Sequence, residues 1–546
     1  MKPIITGIIF LSLLTGAGIA QPLGEVVGTT CYIPQTLTSA GHRIAVCDDN
    51  SIYVCWMNLL DWPYPPAPRH IYINWRNSEG VWNPYGFEGR VNQESGAGYP
   101  RIDEIYGNRG AIVYHSAGGS YPTYVTVSVD YDPPGYDFFD HYNPPDEIFP
   151  QNPDSPGRCY WPDINVDRND NMHIVMTEHT ERRPQRLCYT NSTDGGDTWC
   201  GVQLIDTVMY PTAIVVSSPV SDRVAVNHLM PNDTISQSNN EVCYYIAEDG
   251  LIWDWTYGRI QITDYENSGS DHRAVGGVEA IFDYDDNLHV AWTTYADSIT
   301  WLWHYDENSE TISLIANNTD TLTNYTWWGL SMDQVSLSRL EDPQILLALW
   351  CQYAEGDTNF TGGYNGDLFL SRSFDSGFTW SEPENITNTQ SPGCTHCNCE
   401  SEIFPSAEED AGLTPDGGFP YLTYIYDPFI DSDLSCICSV IFLGPEHVTD
   451  VADNQTAKPN RLLLAQSYPN PFNAQTTIRY ELPYPSNVAL NIYDILGRKI
   501  ETLMDSNQPA GIHSVIWDAE EFSSGMYFYK IEAGEFMQTK KMLLLR

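Results

Sequence analysis

A hairpin pattern that returns at near-regular intervals constrains this chain most. Before and after an Asp/Asn turn at residues 283–287, apolar side chains stand at every second position, which indicates two antiparallel strands. Six further segments repeat the pattern, so that the turns lie near residues 49, 108, 170, 222, 286, 342 and 417. The intervals of 52 to 75 residues leave room for several short strands each. Such a period is typical of a β-propeller, whose sheets stack around an axis because none buries both faces alone.

We therefore predict an all-β fold with a seven-bladed β-propeller, six blades being the alternative. Four of the units open on an aromatic residue followed by proline, as suits the first residue of a strand, which need not donate to the ladder; these are Tyr99-Pro100, Trp161-Pro162, Tyr210-Pro211 and Phe404-Pro405. The predicted segments are a signal peptide over 1–20, the propeller over 21–450, a linker over 451–464 and a small Ig-like β-sandwich over 465–546.

The first twenty residues have the form of a secretory leader. Lys2 precedes an apolar run from Ile4 to Leu14, and small residues stand at Gly18 and Ala20. This pattern predicts cleavage before Gln21 and export of the mature chain. The run is short for a membrane span, and no later stretch offers another.

The net negative charge of the chain lies in the predicted propeller. Residues 21–450 hold 62 Asp and Glu, 16 Arg and no Lys, whereas residues 451–546 hold 10 acids and 9 bases. Nucleic acid is a poor partner for such a field because phosphates require basic side chains. Cations or neutral glycans suit it better, and the plainer interpretation is that the charge keeps the protein soluble.

Two segments share the pattern S-x-D-x-G-x-T-W and resemble the Asp box, or BNR repeat, of sialidase-like propellers. In that pattern the Asp accepts backbone N–H bonds of its turn, the Gly allows positive φ, and the Trp packs between strands. The resemblance implies a structural role away from any active centre. The matching residues are Ser192, Asp194, Gly196, Thr198 and Trp199, and Ser373, Asp375, Gly377, Thr379 and Trp380.

The sialidase resemblance also implies an arginine clamp, for which the sequence offers only weak candidates. The nearest text to the family's first arginine segment is Tyr99-Pro100-Arg101-Ile102, with the proline misplaced. Arg158 and Arg273 also fall near unit starts, although ion pairs with the surplus acids explain all three as well. We therefore assign no catalytic residue.

A long insertion supplies the candidate binding rim. Residues 131–162 mix aromatic rings, which can stack on sugar faces, with carboxylates, which can bind hydroxyls. A proline-stiffened loop that covers its own sheet is the alternative. The candidate ligand residues are Tyr136, Asp137, Phe139, Asp140, Tyr142, Trp161 and Arg101.

The sequence offers candidate residues for metal binding and for disulfides. The turns 167–171 and 283–287 could hold Ca²⁺, but they match no full calcium loop, so ordinary turns and no cofactor are favoured. Export permits disulfides among the 13 cysteines. Cys47 could pair with Cys55, and Cys188 with Cys200, across their hairpins. Local disulfides are favoured over Zn²⁺ in the segment Cys394, His396, Cys397 and Cys399. If residues 25–33 complete the last blade, Cys31 could also reach Cys436 or Cys438 and lock the ring.

The end of the chain resembles, over nearly its full length, the type A sorting domain of the type IX secretion system. Short alternating segments such as Ala489–Tyr493 and Tyr527–Ile531 also predict a small sandwich on physical grounds. The resemblance implies delivery by the type IX machinery and release or attachment at the cell surface. An Ig-like stalk is the alternative. The sorting-motif residues are Pro469, Asn470, Pro471, Phe472, Asn473, Gly497, Arg498, Lys540 and Lys541.

Together these features predict an exported, non-catalytic propeller that binds a glycan or surface polymer. A sialidase-like glycoside hydrolase and a structural or adhesive surface protein are the alternatives.

Deletion of residues 467–546 tests the sorting address. Without the tail the protein should accumulate in the periplasm, because only the leader's step of export remains. Fractionation of cells that express the full and truncated chains measures this, with a leader–reporter fusion that carries residues 466–545 as the gain-of-export control. Undiminished export of the truncated chain would contradict the address.

Overall fold

A computed structural model describes the fold over most of the chain. The described residues are 22–31, 35, 41–59, 69–83, 89–92, 96–117, 123–130, 139–145, 158–178, 183–296, 299–319, 330–341, 344–359, 362–394, 399–414, 418–428, 438–448, 463–464, 467, 472–482, 486–495, 497–508, 511–519, 522–534 and 536–545. The predicted signal peptide and most of the predicted linker lie outside them.

Within these residues, strands β1–β28 pair into seven antiparallel four-stranded units. In chain order the strands begin with β1 Glu25–Thr30, β2 Ile44–Val46, β3 Ile52–Leu59, β4 Arg69–Arg76, β5 Gly89–Arg90, β6 Gly98–Ile105, β7 Arg109–Ala117, β8 Thr123–Asp130, β9 Phe139–Tyr142, β10 Cys159–Val166, β11 Met172–Glu178, β12 Gln185–Ser192, β13 Gln203–Val208 and β14 Ile214–Ser217. They continue with β15 Val224–Pro231, β16 Asn240–Ala247, β17 Ile260–Gln261, β18 Ala274–Phe282, β19 Leu288–Ala296, β20 Ile299–Asp306, β21 Thr311–Asn318, β22 Met332–Leu340, β23 Ile345–Thr358, β24 Tyr364–Ser373, β25 Glu384–Asn385, β26 Glu402–Gly412, β27 Phe419–Tyr426 and β28 Cys438–Leu443. Units 1 to 6 start with β2, β6, β10, β14, β18 and β22, and unit 7 consists of β26, β27, β28 and β1.

The first strands of the units form a closed ring. β2 contacts β6, β6 contacts β10, and the series runs on through β14, β18 and β22 to β26, which contacts β2 again. Apolar clusters fill the gaps between neighbouring sheets, as between units 4 and 5 and between units 5 and 6. The all-β propeller fold is thus confirmed, and the pairing favours seven units over six. Each predicted hairpin forms the two innermost strands of its unit. The turns of the seven hairpins therefore all lie at the same end of the axis.

The amino-terminal strand closes the ring, which is the arrangement that the hypothesis for Cys31 requires. β1 pairs antiparallel with β28, from Glu25 opposite Phe442 to Thr30 opposite Cys438. It also reaches unit 1, because the Trp56 indole N–H donates to the Thr29 carbonyl at 3.0 Å. Unit 7 is therefore built from both ends of the propeller segment.

The tail is a separate small sandwich. One sheet holds β29 Leu463–Leu464, β30 Gln475–Leu482 and β33 Gly511–Asp518, and the other holds β31 Ser486–Asp494, β32 Lys499–Gln508, β34 Gly525–Ala533 and β35 Phe536–Leu544. Its core packs around the fully buried Trp517 and Tyr529. Two short helices, α1 Tyr265–Ser268 and α2 Pro445–Val448, complete the elements. In the described part of the chain no helix has the length and apolar character needed to cross a bilayer.

Two predicted disulfides are wrong. Cys55 pairs with Arg43 and Cys47 with Ser51, which puts the two cysteines four strand residues, roughly 13 Å, apart. Cys200 lies opposite Asn191 rather than opposite Cys188, and all four thiols are free. A disulfide does join Cys394 to Cys399, whereas His396 and Cys397 lie outside the described residues. Cys436 lies outside the described residues as well, so a bond from Cys31 that locks the ring stays a prediction.

Gly28 tests the closure. A Cβ at this position would overlap the buried indole of Trp56, so Gly28→Ala should lower the free energy of unfolding by about 1–3 kcal/mol. Gly201→Ala is the matched control, because nothing lies within 4 Å of its added Cβ. Urea unfolding measures both, and equal stability of the two variants would contradict this role for β1.

Candidate functional site

Bulges interrupt the inner strands near their first residues, at the end of the propeller axis opposite the hairpin turns. β6, β10, β18, β22 and β26 each shift register near their first residues. At these bulges φ is positive for Tyr99 (55°), Trp161 (49°), Gln334 (59°) and Phe404 (54°). Bulky residues with positive φ are strained by about 1–3 kcal/mol each, and such strain concentrates at functional sites. The sequence carries a signal for these bulges, since three of the four residues precede a proline.

Aromatic rings gather at this end of the axis around one histidine, and we name Tyr99, His115, Tyr160 and Trp161 the aromatic mouth. The His115 ring centroid lies 5.0 Å from that of Tyr160, 5.4 Å from that of Tyr99 and 6.5 Å from that of Trp161. His115 is buried, whereas the other three rings are half-buried and so offer surface to a ligand. The Arg69 guanidinium stands 6.0 Å from the Tyr99 ring. The arrangement combines stacking faces with a cation, as sugar-binding sites do.

Charged side chains fill the axis beneath the mouth, and we name His42, Arg101, Asp163, Asn165, Glu279, Arg339 and Glu409 the axial cluster. Its contacts cross the ring. His42 Nε2 lies 4.0 Å from Glu279 Oε1 of unit 5, and His42 Nδ1 lies 3.9 Å from Glu409 Oε1 of unit 7. Arg101 Nε lies 3.6 Å from Asp163 Oδ1, which joins units 2 and 3 within the cluster. Polar side chains from distant units thus meet at the axis.

Burial governs the charges of the axial cluster. It raises the pKa of Glu279 well above the ordinary value, and the neighbouring carboxylates of Asp163 and Glu409 add to the effect. Burial also raises the pKa of Asp163, against the pull of Arg101, and lowers the pKa of His42. Carboxyl groups with raised pKa values can hold a proton near neutral pH, which is the property of a general acid.

The predicted rim residues fall into two places. Arg101 and Trp161 lie on inner strands, at the end of the axis that carries the aromatic mouth. The sequence alone did not predict that Trp161 lies at a bulge or that Arg101 belongs to the axial cluster. Phe139, Asp140 and Tyr142 lie on β9, the outermost strand of unit 2, where Tyr142 packs against Gly196 of the next unit. Tyr136 and Asp137 lie outside the described residues. Whether these residues bind a ligand stays a prediction.

The predicted arginine clamp gains no geometric support. Arg101 faces Asp163 in the axis, whereas Arg273 donates to the backbone carbonyls of Ser270 and His272 at 2.7 and 2.5 Å. The two side chains serve different local partners.

Both S-x-D-x-G-x-T-W segments form closed, hydrogen-bonded turns. Asp194 Oδ1 accepts the Thr198 N–H at 2.8 Å, and the Gly196 N–H donates to Ser192 Oγ at 2.9 Å. The second segment repeats both bonds: Asp375 Oδ1 accepts the Thr379 N–H at 2.8 Å, and the Gly377 N–H donates to Ser373 Oγ at 2.8 Å. The Trp199 indole N–H donates to the Gly196 carbonyl, while that of Trp380 reaches Ser313 of unit 5. These boxes lie at outer strands, so they support the sheets rather than the axis.

A second opening lies at the hairpin-turn end of the axis. Here the ends of the inner strands surround a cavity of about 670 Å³ whose lining includes nine carboxylates. The turn residue Asp167 accepts the backbone N–H groups of Asn169 and Asn171, and Asp283 does the same for Asp285 and Asn287. Among the described residues no cluster of three or more metal-ligating side chains converges, and Ca²⁺ in these turns stays a prediction.

In the sandwich, the sorting motif is partly visible. Phe472 is buried, and its backbone bonds to Leu543 and Leu545 join it to β35. Gly497 adopts positive φ beside Arg498, whose guanidinium pairs with Asp494 at 2.7 Å. Lys540 and Lys541 lie on β35, whereas Pro469, Asn470 and Pro471 fall outside the described residues.

Comparisons with known proteins identify the tail and the fold. Residues 466–545 match the family model of the secretion system C-terminal sorting domain, which implies handling by the type IX system and a secreted protein, often attached to the cell surface. No curated protein sequence matches the chain.

Solved structures similar to this chain include glycan-acting propellers. A polysaccharide lyase, the PL25 ulvan lyase, aligns with a TM-score of 0.50 and 10% identity over 78% of this chain and 96% of its own. An α-L-arabinanase of Penicillium chrysogenum aligns with a TM-score of 0.37 and 12% identity over 64% and 93%. At these identities the likeness concerns the fold.

Asp333, one residue before the Gln334 bulge, should make the free energy of unfolding depend on pH. Burial raises the pKa of Asp333 to about 7, so between pH about 4 and 7 the folded state binds more protons than the unfolded state. Asp333 should therefore contribute a fall in the free energy of unfolding as pH rises through this window. Asp333→Asn should remove that contribution, for a gain relative to the wild type of about 1–3 kcal/mol at pH 7.

Chemical unfolding at pH 4 to 8 measures this effect. Asp264→Asn, at an exposed position, is the matched control and should follow the wild-type curve. Parallel curves for the wild type and Asp333→Asn would contradict the buried, protonated carboxyl.

Proposed function

We propose that this secreted protein binds a polysaccharide chain at the aromatic mouth. The observation that carries the proposal is the set of half-buried rings of Tyr99, Tyr160 and Trp161 around His115, held by strained bulges above a charged axis. Sugar rings stack on such faces, and rigid sheets keep the faces in place. The export tail supports a ligand outside the cell.

The charge of the body argues for a neutral or sparsely charged chain. The propeller segment carries the whole anionic surplus, and a densely sulfated polymer would be repelled by it. Near the mouth, Arg69 and Arg101 offset part of that field. Binding should therefore depend on stacking more than on salt.

Cleavage of the bound chain is the second candidate function. Burial raises the pKa values of Asp163 and Glu279, beside His42 and Arg101, which is the direction of shift that suits the acid of glycoside hydrolysis. The similar fold of a polysaccharide lyase adds elimination as another route, which applies only to chains that contain uronic acid, because the proton is removed from the carbon next to the carboxyl group.

Single-ring variants test the binding proposal. Tyr160→Ala and Trp161→Ala should each weaken binding of a soluble neutral polysaccharide, such as a β-glucan or galactomannan, about tenfold, because each lost stacking face removes about 1 kcal/mol or more. Tyr257→Ala, 87% exposed on unit 4, is the matched control and should bind as the wild type does. Affinity electrophoresis and calorimetry provide the affinities, and thermal unfolding confirms that each variant folds.

Product analysis of the same mixtures separates the candidates. Unchanged neutral chains indicate binding alone, and new reducing ends indicate hydrolysis. A parallel mixture with a uronic-acid polysaccharide tests elimination, which would give a new end with an ultraviolet-absorbing double bond. Equal affinity of Trp161→Ala, Tyr160→Ala and the wild type for every chain tested would contradict the mouth as the site.

A further inference from the structure

The cavity at the hairpin-turn end of the axis has a composition that suits a cation. We name it the turn-side cavity. Its lining includes nine carboxylates and two guanidinium groups around about 670 Å³. The carboxylates are Asp48, Asp49, Asp103, Glu104, Asp167, Asp170, Glu408, Glu409 and Asp410. Both arginines are engaged with carboxylates, Arg339 with Glu409 at 3.0 Å and Arg168 with Asp222 at 4.0 Å.

Four of these carboxylates accept backbone N–H groups of a neighbouring unit. Asp103 Oδ2 accepts the Val166 N–H at 2.6 Å, and Glu408 Oε2 accepts the Val46 N–H at 3.1 Å. Glu104 Oε1 and Asp170 Oδ1 accept backbone N–H groups of units 1 and 2 in the same way. Each of these bonds occupies one oxygen of a group that has two, and in Asp103 the other oxygen accepts the Glu104 N–H at 2.8 Å. The inter-unit bonds therefore leave acceptor capacity on Glu104, Asp170 and Glu408.

An amide at the floor provides an independent sign of a ligand. Asn165 lines the cavity, is 4% exposed, and donates through Nδ2 to Glu409 Oε1 at 3.3 Å. Among the described residues its Oδ1 has no hydrogen-bond partner. A buried acceptor without a donor is costly and rare, and it is satisfied when a ligand brings an N–H group.

We propose that the turn-side cavity binds a small organic cation with two or more ammonium groups, of the linear polyamine class. A Ca²⁺ ion requires several oxygens converging at 2.3–2.6 Å, and no such convergence exists among the described residues. Ammonium groups instead form separate hydrogen bonds to carboxylates spread around a wall, each with three donors. The volume lies in the range of small-molecule pockets rather than of single ions.

Electrostatics support the same ligand class. Burial and the carboxylates of Asp103 and Asp410 raise the pKa of Glu408 well above its ordinary value. Burial and Glu409 do the same for Asp103. A bound polycation opposes that repulsion, so binding should release protons from these groups. The cavity lies at the opposite end of the axis from the aromatic mouth, and the proposal is independent of polysaccharide binding.

Calorimetric titration of the full chain with spermidine at low salt is the test. The wild type should show one saturable site whose affinity falls with added salt and whose binding releases protons into the buffer. Glu104→Gln with Asp170→Asn removes two charges yet keeps acceptor oxygens for the Asp48 and Tyr106 N–H groups, and it should weaken binding about tenfold.

Glu79→Gln with Glu310→Gln is the matched control, because it removes two exposed charges elsewhere and leaves the cavity intact. Its affinity for spermidine should equal that of the wild type. Equal weakening by both double variants, or many weak sites in place of one, would overturn the proposal in favour of general attraction to an acidic surface. Stoichiometric displacement of spermidine by Ca²⁺ would overturn the ligand class.

Discussion

Closure of the ring through β1 is the contact on which the rest of the structure depends. Unit 7 takes its fourth strand from the amino-terminal end of the propeller segment, and the two ends meet again where the Arg43 N–H donates to Ser406 Oγ at 2.8 Å. The fully buried Arg43 guanidinium also donates to the Phe404 carbonyl. Without these links the first and last sheets would each expose a face, and the seven inner strands would lose their common axis.

A closed ring brings seven distant segments to one axis, and this creates the chemistry of the site. Groups such as His42 and Glu279 meet across the channel although they belong to units 1 and 5. In this weakly hydrated interior, like charges raise each other's pKa values and each carboxylate requires a partner. The two ends of the axis then differ. The strand-start end exposes strained aromatic residues, whereas the turn end exposes carboxylates.

Local patterns predicted the elements, and long-range meetings escaped prediction. Alternation around Asp/Asn turns identified the innermost hairpin of every unit, because that signal lies within about fifteen residues. The axial cluster was not predicted, since the Asn165–Glu409 contact joins residues 244 positions apart. The two hairpin disulfides failed on register: Cys47 and Cys55 flank one turn, but the ladder places them at different levels. The predicted rim grouped Trp161 with Tyr142, whereas Trp161 lies on the first strand of unit 3 and Tyr142 on the fourth strand of unit 2.

The most direct test of this account is a crystal structure of the full chain with a bound oligosaccharide, taken from whichever polysaccharide binds in solution. The account predicts sugar rings stacked on Tyr99, Tyr160 and Trp161, above Arg101 and at the strand-start end of a closed seven-unit ring. An oligosaccharide held on outer strands or in the turn-side cavity, with the aromatic mouth empty, would contradict it.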